Sequence, residues 1–210
     1  MRRPYIGLAA LLVALLVTAV ACGEDPPPQD EAAPPGPERA ETQEAFWSHL
    51  EALCGQAFSG AVAEQEAVED DFQDRELIMH VRECDPDEIR IPLHVGEDRS
   101  RTWVITRTAQ GLRLKHDHRH EDGTEEELTQ YGGDTEEPGT EGHQDFHADQ
   151  FTAELLPEAA TNVWTLEVEP GESFAYQLVR EGTDRRVRFE FDLSETVPAP
   201  PAPWGFEDEG

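Results

Sequence analysis

Apolar and polar residues alternate with a period of two through most of the chain after residue 55, and this pattern constrains the fold most. Successive side chains of an extended strand point to opposite faces, so the alternation predicts strands that bury one face. Turn-forming sequences separate the strands, as at Asp85-Pro86-Asp87. The alternation is clearest in two runs: Ile89, Ile91, Leu93 and Val95, and Val187, Phe189, Phe191 and Leu193. We therefore predict a mainly β fold, in which an antiparallel meander forms a barrel or sandwich.

One amphipathic helix precedes the predicted strands. Apolar residues have helical spacing from Phe46 to Cys54, with Thr42 placed to cap the start of the helix and Gly55 to end it. Residues 132–149 are rich in Gly, Glu and His and are predicted to form a long loop, followed by a short helix over residues 151–160. The predicted strands cover residues 56–64, 75–84, 88–95, 101–108, 112–121, 128–131, 162–169, 173–180 and 185–193.

The first 21 residues have the parts of an export signal, which are basic residues, an uncharged apolar run over residues 6–21, and small residues at its end. A transmembrane anchor is the alternative, because the run approaches the length that spans a bilayer. The small residues at its end and the lack of basic residues after it favour export. Ala19-Val20-Ala21-Cys22 resembles a lipobox, which implies lipidation of Cys22. Ala-x-Ala also suits the ordinary signal peptidase, which would release a soluble secreted protein.

The segment after Cys22 favours the lipoprotein. Residues 23–45 contain six prolines, seven acidic residues and one arginine, so they are predicted to form a disordered, extended tether rather than a core. The predicted organisation is a signal peptide over residues 1–21, a tether over 22–45, a β-rich domain over 46–196 and a Pro-rich acidic tail over 197–210. We predict a bacterial envelope protein that is anchored in a membrane and faces the periplasm or the exterior.

The cysteine count predicts a disulfide, and the net charge limits which partners the protein can bind. Lipidation of Cys22 would leave Cys54 and Cys84 as a pair, and two thiols in an oxidising compartment are predicted to form a disulfide. The formal net charge of −30 repels phosphate backbones, which excludes nucleic acid as a partner. It also repels anionic lipid, so the lipid anchor alone would hold the protein at a membrane. The sequence does not indicate whether the protein has a protein partner.

A histidine run is the one candidate site in the sequence. On a strand, His116, His118 and His120 share a face with Leu112 and Leu114, which predicts a strand that runs from the core to a cavity mouth. Two histidines at this spacing can share a zinc or copper ion, with further ligands from elsewhere. The alternative is a hydrogen-bonded polar patch without metal. The predicted metal ligands are His116, His118, His120, His143 and His147, and the predicted cavity-lining residues are Trp103 and Tyr131.

Catalytic motifs are missing from the sequence. No Gly-x-Ser-x-Gly, phosphate-binding glycine loop or Cys-x-x-Cys is present, so an enzyme is disfavoured. We expect a binding or structural β domain with no specific activity, and a small ligand or a metal ion is its candidate partner. A divalent metal-binding protein is the first alternative and a hydrolase is the second.

Two resemblances accompany this interpretation. A helix that leads into an antiparallel meander resembles the calycins, which include the lipocalins and fatty-acid-binding proteins, and this implies a β-barrel. Lipocalins carry Gly-x-Trp on their first strand where this chain has Gly55-Gln56-Ala57-Phe58, so no ligand-binding residue is carried over. The segment from Arg99 to Asp134 resembles uncharacterised bacterial secreted proteins, and this resemblance implies no activity.

Overall fold

The computed structural model describes residues 40–68 and 72–207. The predicted signal peptide, Cys22 and the tether up to residue 39 lie outside the described residues. In the part that is described, no helix has the length and apolar character needed to cross a membrane.

The described residues form one antiparallel sheet that closes on itself. Its order is β2-β1-β11-β10-β9-β8-β7-β6-β5-β4-β3, and β2 also pairs with β4, so ten strands form a barrel and β3 lies beside β4 outside the ring. The predicted mainly β, antiparallel fold is confirmed, with a barrel rather than a sandwich. The strands are β1 (Ala57–Glu66), β2 (Leu77–His80), β3 (Glu83–Asp85), β4 (Glu88–Val95), β5 (Asp98–Arg107), β6 (Leu112–His118), β7 (Tyr131–Asp134), β8 (His143–Ala148), β9 (Asn162–Glu169), β10 (Ser173–Arg180) and β11 (Arg186–Asp192).

Alternation along each strand fills the barrel with one continuous apolar core. On β4 the residues Ile89, Ile91 and Leu93 are buried, and on β11 Phe189 and Phe191 are buried with the same period of two. A one-residue slip would turn these side chains to solvent, so the burial pattern fixes the register. The register shifts once on β1 and once on β4, and such irregularities increase the local bend and twist of a strand.

Helix α1 (Glu41–Glu51) covers one end of the barrel. Its residues Phe46, Trp47 and Leu50 are fully buried in the core. The helix begins within the predicted tether, five residues before the predicted start of the domain at residue 46. Thr42 does not cap it, because the N-cap is Ala40 without a side-chain bond, while the Thr42 hydroxyl donates to the Pro138 carbonyl at 2.8 Å.

A disulfide ties the end of this helical segment to the barrel wall. Cys54 follows α1 and is bonded to Cys84 on β3, with the two Cα atoms 6.3 Å apart. The pair is the one predicted from the cysteine count.

The predicted long loop over residues 132–149 is wrong, because β7 and β8 occupy half of it. Gly132 and Gly133 permit a close approach of β7 to its neighbours. A Cβ at Gly132 would meet the Leu114 carbonyl, and a Cβ at Gly133 would meet the His147 carbonyl. This glycine pair is typical of a turn in the sequence, but in the structure it belongs to a strand whose neighbours approach its backbone closely on both sides. Helix α2 (Gln150–Leu155) and a 3₁₀ turn (Pro157–Ala159) occupy the predicted short helix.

The C-terminal segment packs against the outer wall of the barrel through Trp204 and Phe206. The Trp204 N–H donates to the Arg99 carbonyl, and the Phe206 ring lies 5.2 Å from Arg90 and 5.4 Å from Arg119. Both arginines pair with Asp117, at 2.6 and 3.2 Å. Asp117 faces outwards from β6 but is only 1% exposed beneath these groups.

Candidate ligand-binding site

Two adjoining cavities lie at the end of the barrel opposite α1. The inner cavity has a volume of about 80 Å³ and the outer one about 340 Å³. We call this end of the barrel the mouth. It is formed where β5, β7, β9 and β11 begin and β6 and β10 end. The residues that line both cavities are Arg101, His118, Tyr131, Tyr176, Leu178 and Arg185.

His116 is the buried polar centre of the inner cavity. Its Nδ1 lies 3.1 Å from the Tyr131 carbonyl oxygen and its Nε2 lies 3.0 Å from the Tyr176 hydroxyl. A carbonyl only accepts, so Nδ1 carries the proton and donates to Tyr131. The unprotonated Nε2 then accepts from the Tyr176 hydroxyl. Every polar atom of the His116 ring is therefore satisfied when the ring is neutral.

The pKa values of this pair agree with a neutral network. Burial, reinforced by His118, lowers the pKa of His116 from 6.5 to about 3, while burial raises the pKa of the Tyr176 hydroxyl well above its ordinary value. An acid–base catalyst works best with a pKa near the working pH, and neither group meets this condition. The pair therefore forms a neutral, hydrogen-bonded part of the cavity wall.

Aromatic rings form the rest of the wall. Trp103 stacks on Tyr176 with centroids 4.5 Å apart, and Phe189 stacks on the other side at 5.7 Å. The Tyr131 ring stacks on His116 at 4.6 Å, and its hydroxyl lies 3.1 Å from His118 Nε2. Trp103 and Tyr131, the two residues predicted from sequence to line a cavity, both line the inner one.

Three arginines line the mouth, Arg101, Arg180 and Arg185, and two acids, Glu126 and Glu158, line its outer cavity. The inner cavity is lined by Arg101 and Arg185 and by no acidic residue of the described chain. Arg101 is paired with Asp98, whereas Arg185 has no carboxylate partner among the residues described and donates to the Ala67 carbonyl at 3.1 Å. The outer cavity adds Arg180, which donates to Asn162.

The predicted histidine set is only partly brought together. His116 and His118 point into the mouth, but His120 lies beyond the end of β6 on an exposed turn. His143 and His147 belong to β8, where Gln144 and Phe146 face the core, so both histidines face outwards. Residues 40–68 and 72–207 contain no group of three or more His, Cys, Asp or Glu that could hold a metal ion. The predicted five-histidine metal site is therefore not assembled, because strand parity places its members on opposite faces of the sheet.

Sequence reasoning missed several residues of the mouth. Arg185 shares its parity with Val187 and Phe189, and Tyr176 shares its parity with Phe174 and Leu178. A charged or polar-tipped residue that continues an apolar face to the end of a strand is the signal that would have identified them.

We expect acid to destabilise the barrel through His116. Its pKa is about 3 in the fold against 6.5 as the ordinary value, so the unfolded chain takes up the proton first as the pH falls. Below pH 6.5 this residue lowers the free energy of unfolding by about 1.4 kcal/mol per pH unit, until the folded pKa is reached. Because of His116, the free energy of unfolding measured with urea should be about 2 kcal/mol lower at about pH 5 than at about pH 7.

Two variants isolate this contribution. Between the same two pH values, the free energy of unfolding of His116→Gln should fall by about 2 kcal/mol less than that of the wild type. The free energy of unfolding of His120→Gln should fall by as much as that of the wild type. Burial and Arg99 lower the pKa of His94 to about 4, so some acid sensitivity remains in either variant. Equal pH dependence in His116→Gln and the wild type would contradict a buried neutral His116.

Comparison of the chain with protein-family models, curated proteins and solved structures finds no match to any of them.

Proposed function

We propose that the chain is an exported, lipid-anchored envelope protein whose barrel binds a small organic molecule at the mouth. The observation that carries the proposal is the concave, aromatic-lined wall around His116 and Tyr176, at one end of a barrel whose other end is covered by α1. Small-molecule sites are typically concave and mostly apolar, with a few fixed polar groups. The helix and the closed antiparallel barrel also resemble the calycins in order, which favours ligand binding over a purely structural role.

The alternatives have less support. A metal-binding role would need ligands that converge, and His143 and His147 face away from the mouth. A hydrolase would need an activated nucleophile, and no Ser or Cys lines either cavity within the described residues. The net charge of −30 continues to disfavour nucleic acid as a partner.

Binding at the mouth is testable with the neutral dye N-phenyl-1-naphthylamine, which fluoresces in apolar sites. We expect saturable binding of one dye per chain. Leu178 lines both cavities, so Leu178→Trp should fill the space and lower dye affinity by about tenfold or more. Fluorescence titration of the purified protein measures the effect.

The adjacent residue provides the matched control. Val179 faces outwards on the same strand, so Val179→Trp should leave dye affinity within about twofold of the wild type. Absence of saturable binding to the wild type, or equal loss in the two tryptophan variants, would contradict a ligand site at the mouth.

The envelope assignment has its own test. Cys22→Ala removes the thiol that the lipobox-like junction offers for lipidation, so the protein should move from the membrane fraction to the soluble fraction. Mass spectrometry of the mature N-terminus should find a diacylated cysteine in the wild type. A soluble wild-type protein that starts at an unmodified Cys22 would contradict the lipid anchor.

A further inference from the structure

The C-terminal segment crosses the outer wall of the barrel as an irregular segment. We call residues 197–207 the strap. Four of its eleven residues are prolines, which have no N–H to donate, so the strap cannot form a continuous ladder with a neighbouring strand. Its backbone is bonded to the barrel at separate points, where the Val197 N–H donates to the Ala57 carbonyl and the Trp204 N–H donates to the Arg99 carbonyl.

Two arginines of the wall hold carbonyl groups of the strap. The Arg99 guanidinium donates to the Ala202 carbonyl at 3.1 Å, and the Arg82 guanidinium donates to the Glu207 carbonyl. Hydrogen bonds from a charged donor are stronger than those between neutral groups. Attachment of the strap therefore depends on the positions of these two positive charges.

His94 lies on the same outer wall and is covered. Its neighbours on β4, Leu93 and Val95, belong to the core, so the His94 side chain faces outwards. It is nevertheless only 3% exposed, and its Nε2 is buried with no partner at hydrogen-bond distance among the described residues. An outward-facing side chain needs a cover to be buried this deeply, and the strap is the described segment that is bonded to this part of the wall.

The surroundings of His94 favour its neutral form. Burial is the main cause that lowers its pKa from 6.5 to about 4. The charged and titratable groups that also act on it come from β2, the residues after β2 and β5, and they are Arg99, His80, Asp98 and Arg82. Asp98 favours the protonated form, and the other three oppose it. Glu207 is the one titratable side chain of the strap within the described residues, and it is exposed. A proton on His94 would therefore place a further positive charge close to both arginines that hold the strap.

We propose that the strap is an acid-opened cover, which detaches from the outer wall when His94 is protonated. The open strap leaves His94 in water, where the imidazolium is hydrated and the two arginines are free to move apart. The wall that it uncovers includes Asp117, which is buried with Arg90 and Arg119 beneath the Phe206 ring. This inference goes beyond the proposed ligand binding and does not depend on it.

The direction of the pH effect follows from proton uptake by the open state. An uncovered His94 takes up its proton near the ordinary pKa of 6.5, whereas the covered residue takes it up near pH 4. Between these values, each decrease of one pH unit raises the ratio of open to closed strap by up to about tenfold. Above pH 6.5 both states are neutral at His94, so the ratio stays constant.

Hydrogen exchange of the Trp204 amide measures the opening, because this N–H is bonded to the wall when the strap is closed. In the purified protein, its exchange rate divided by the intrinsic rate should be about twentyfold higher at pH 5 than at pH 7. His94→Gln cannot take up the proton, so its corrected rate should change by less than about twofold. His120→Gln is the matched control, because His120 lies on an exposed turn, and it should keep the twentyfold change.

The Leu166 amide separates strap opening from unfolding of the barrel. Leu166 is paired with strands on both sides, so its exchange reports the barrel itself. Its corrected rate should stay well below that of Trp204 at both pH values. Equal corrected rates at Trp204 and Leu166, or no change at Trp204 between pH 7 and pH 5, would overturn the strap as a separate acid-opened unit. A twentyfold change that persists in His94→Gln would overturn His94 as the trigger.

Gly205→Ala keeps the proposal testable if His94→Gln does not fold. Gly205 has a φ of +87°, and a Cβ there would lie 3.0 Å from the Arg119 side chain and 3.1 Å from the Gly123 carbonyl oxygen. Alanine should therefore weaken the closed strap and raise the corrected exchange rate of Trp204 at pH 7 by about fivefold or more. The rate at Leu166 should stay within about twofold of the wild type. An unchanged rate at Trp204 would overturn the strap as a cover that closes on these contacts.

Discussion

Replacement of Gly133 by alanine is expected to lower the free energy of unfolding by more than about 3 kcal/mol. A Cβ at this position would lie within 3.0 Å of the carbonyl oxygen and carbon of His147, which real Cβ atoms essentially never do. These are backbone atoms, so no side-chain rotation can relieve the clash. Gly133 pairs with Ala148, and this is one of only two residue pairs recorded between β7 and β8. Displacing either strand would therefore open the barrel between the two neighbouring strands that share the fewest residue pairs.

A second glycine separates the steric cost from the cost of backbone conformation. Gly182 has a φ of +76° but nothing within 4 Å of its would-be Cβ, so Gly182→Ala should cost only about 1 kcal/mol. Gly133 does not have a positive φ, so its larger penalty would be steric. Urea unfolding followed by circular dichroism measures both variants. A cost at Gly133 no larger than that at Gly182 would contradict the close approach of β7 and β8.

Removal of the disulfide is the second large effect that we expect. Cys54 and Cys84 are separated by 30 residues, and closing such a loop restricts the unfolded chain by about 3 to 4 kcal/mol in the chain-entropy model. The double variant Cys54→Ala/Cys84→Ala should therefore unfold at a clearly lower urea concentration than the wild type. The bond holds the segment after α1 against β3, so the end of the barrel that α1 covers should lose most protection from hydrogen exchange.

Chemical reduction controls for changes in side-chain packing. A reductant should lower the stability of the wild type close to that of the double variant and should leave the double variant unchanged. If the wild type unfolds at the same urea concentration with and without reductant, the bond does not contribute as expected. If the double variant responds to reductant, another thiol is involved.

The barrel could be predicted because apolar and polar residues alternate strongly along its strands. The runs from Ile89 to Val95 and from Val187 to Leu193 appear in the structure with the predicted faces buried. Strands β7 and β8 could not be predicted in the same way. Gly132 and Gly133 have no side chains to alternate, and they are required by the backbones beside them, which the sequence does not reveal. Treating residues 132–149 as a loop then placed His143 and His147 near the mouth, whereas β8 directs them outwards.

Half of the candidate site was accessible from the sequence. The parity of His116 and His118 with Leu114 predicted a strand that runs from core to cavity, and both histidines line the inner cavity. The partners of His116 come from distant strands: Tyr176 lies 60 residues away and the Tyr131 carbonyl 15 residues away. Which hydroxyl meets which ring nitrogen depends on the shear of the closed barrel, and local patterning does not specify it.

Closure of the sheet leaves little backbone for a second chain to pair with. Each of the ten strands in the ring is hydrogen-bonded on both sides. Within the described strands, β3 has one neighbour and is only three residues long, and residues 61–66 of β1 pair with β11 alone. This stretch of β1 carries Glu64 and Glu66, and charged side chains on an edge disfavour pairing with another strand. The net charge of −30 adds mutual repulsion between molecules. We therefore expect the folded protein to stay monomeric in concentrated solution and to form cross-β aggregates only after the barrel has opened.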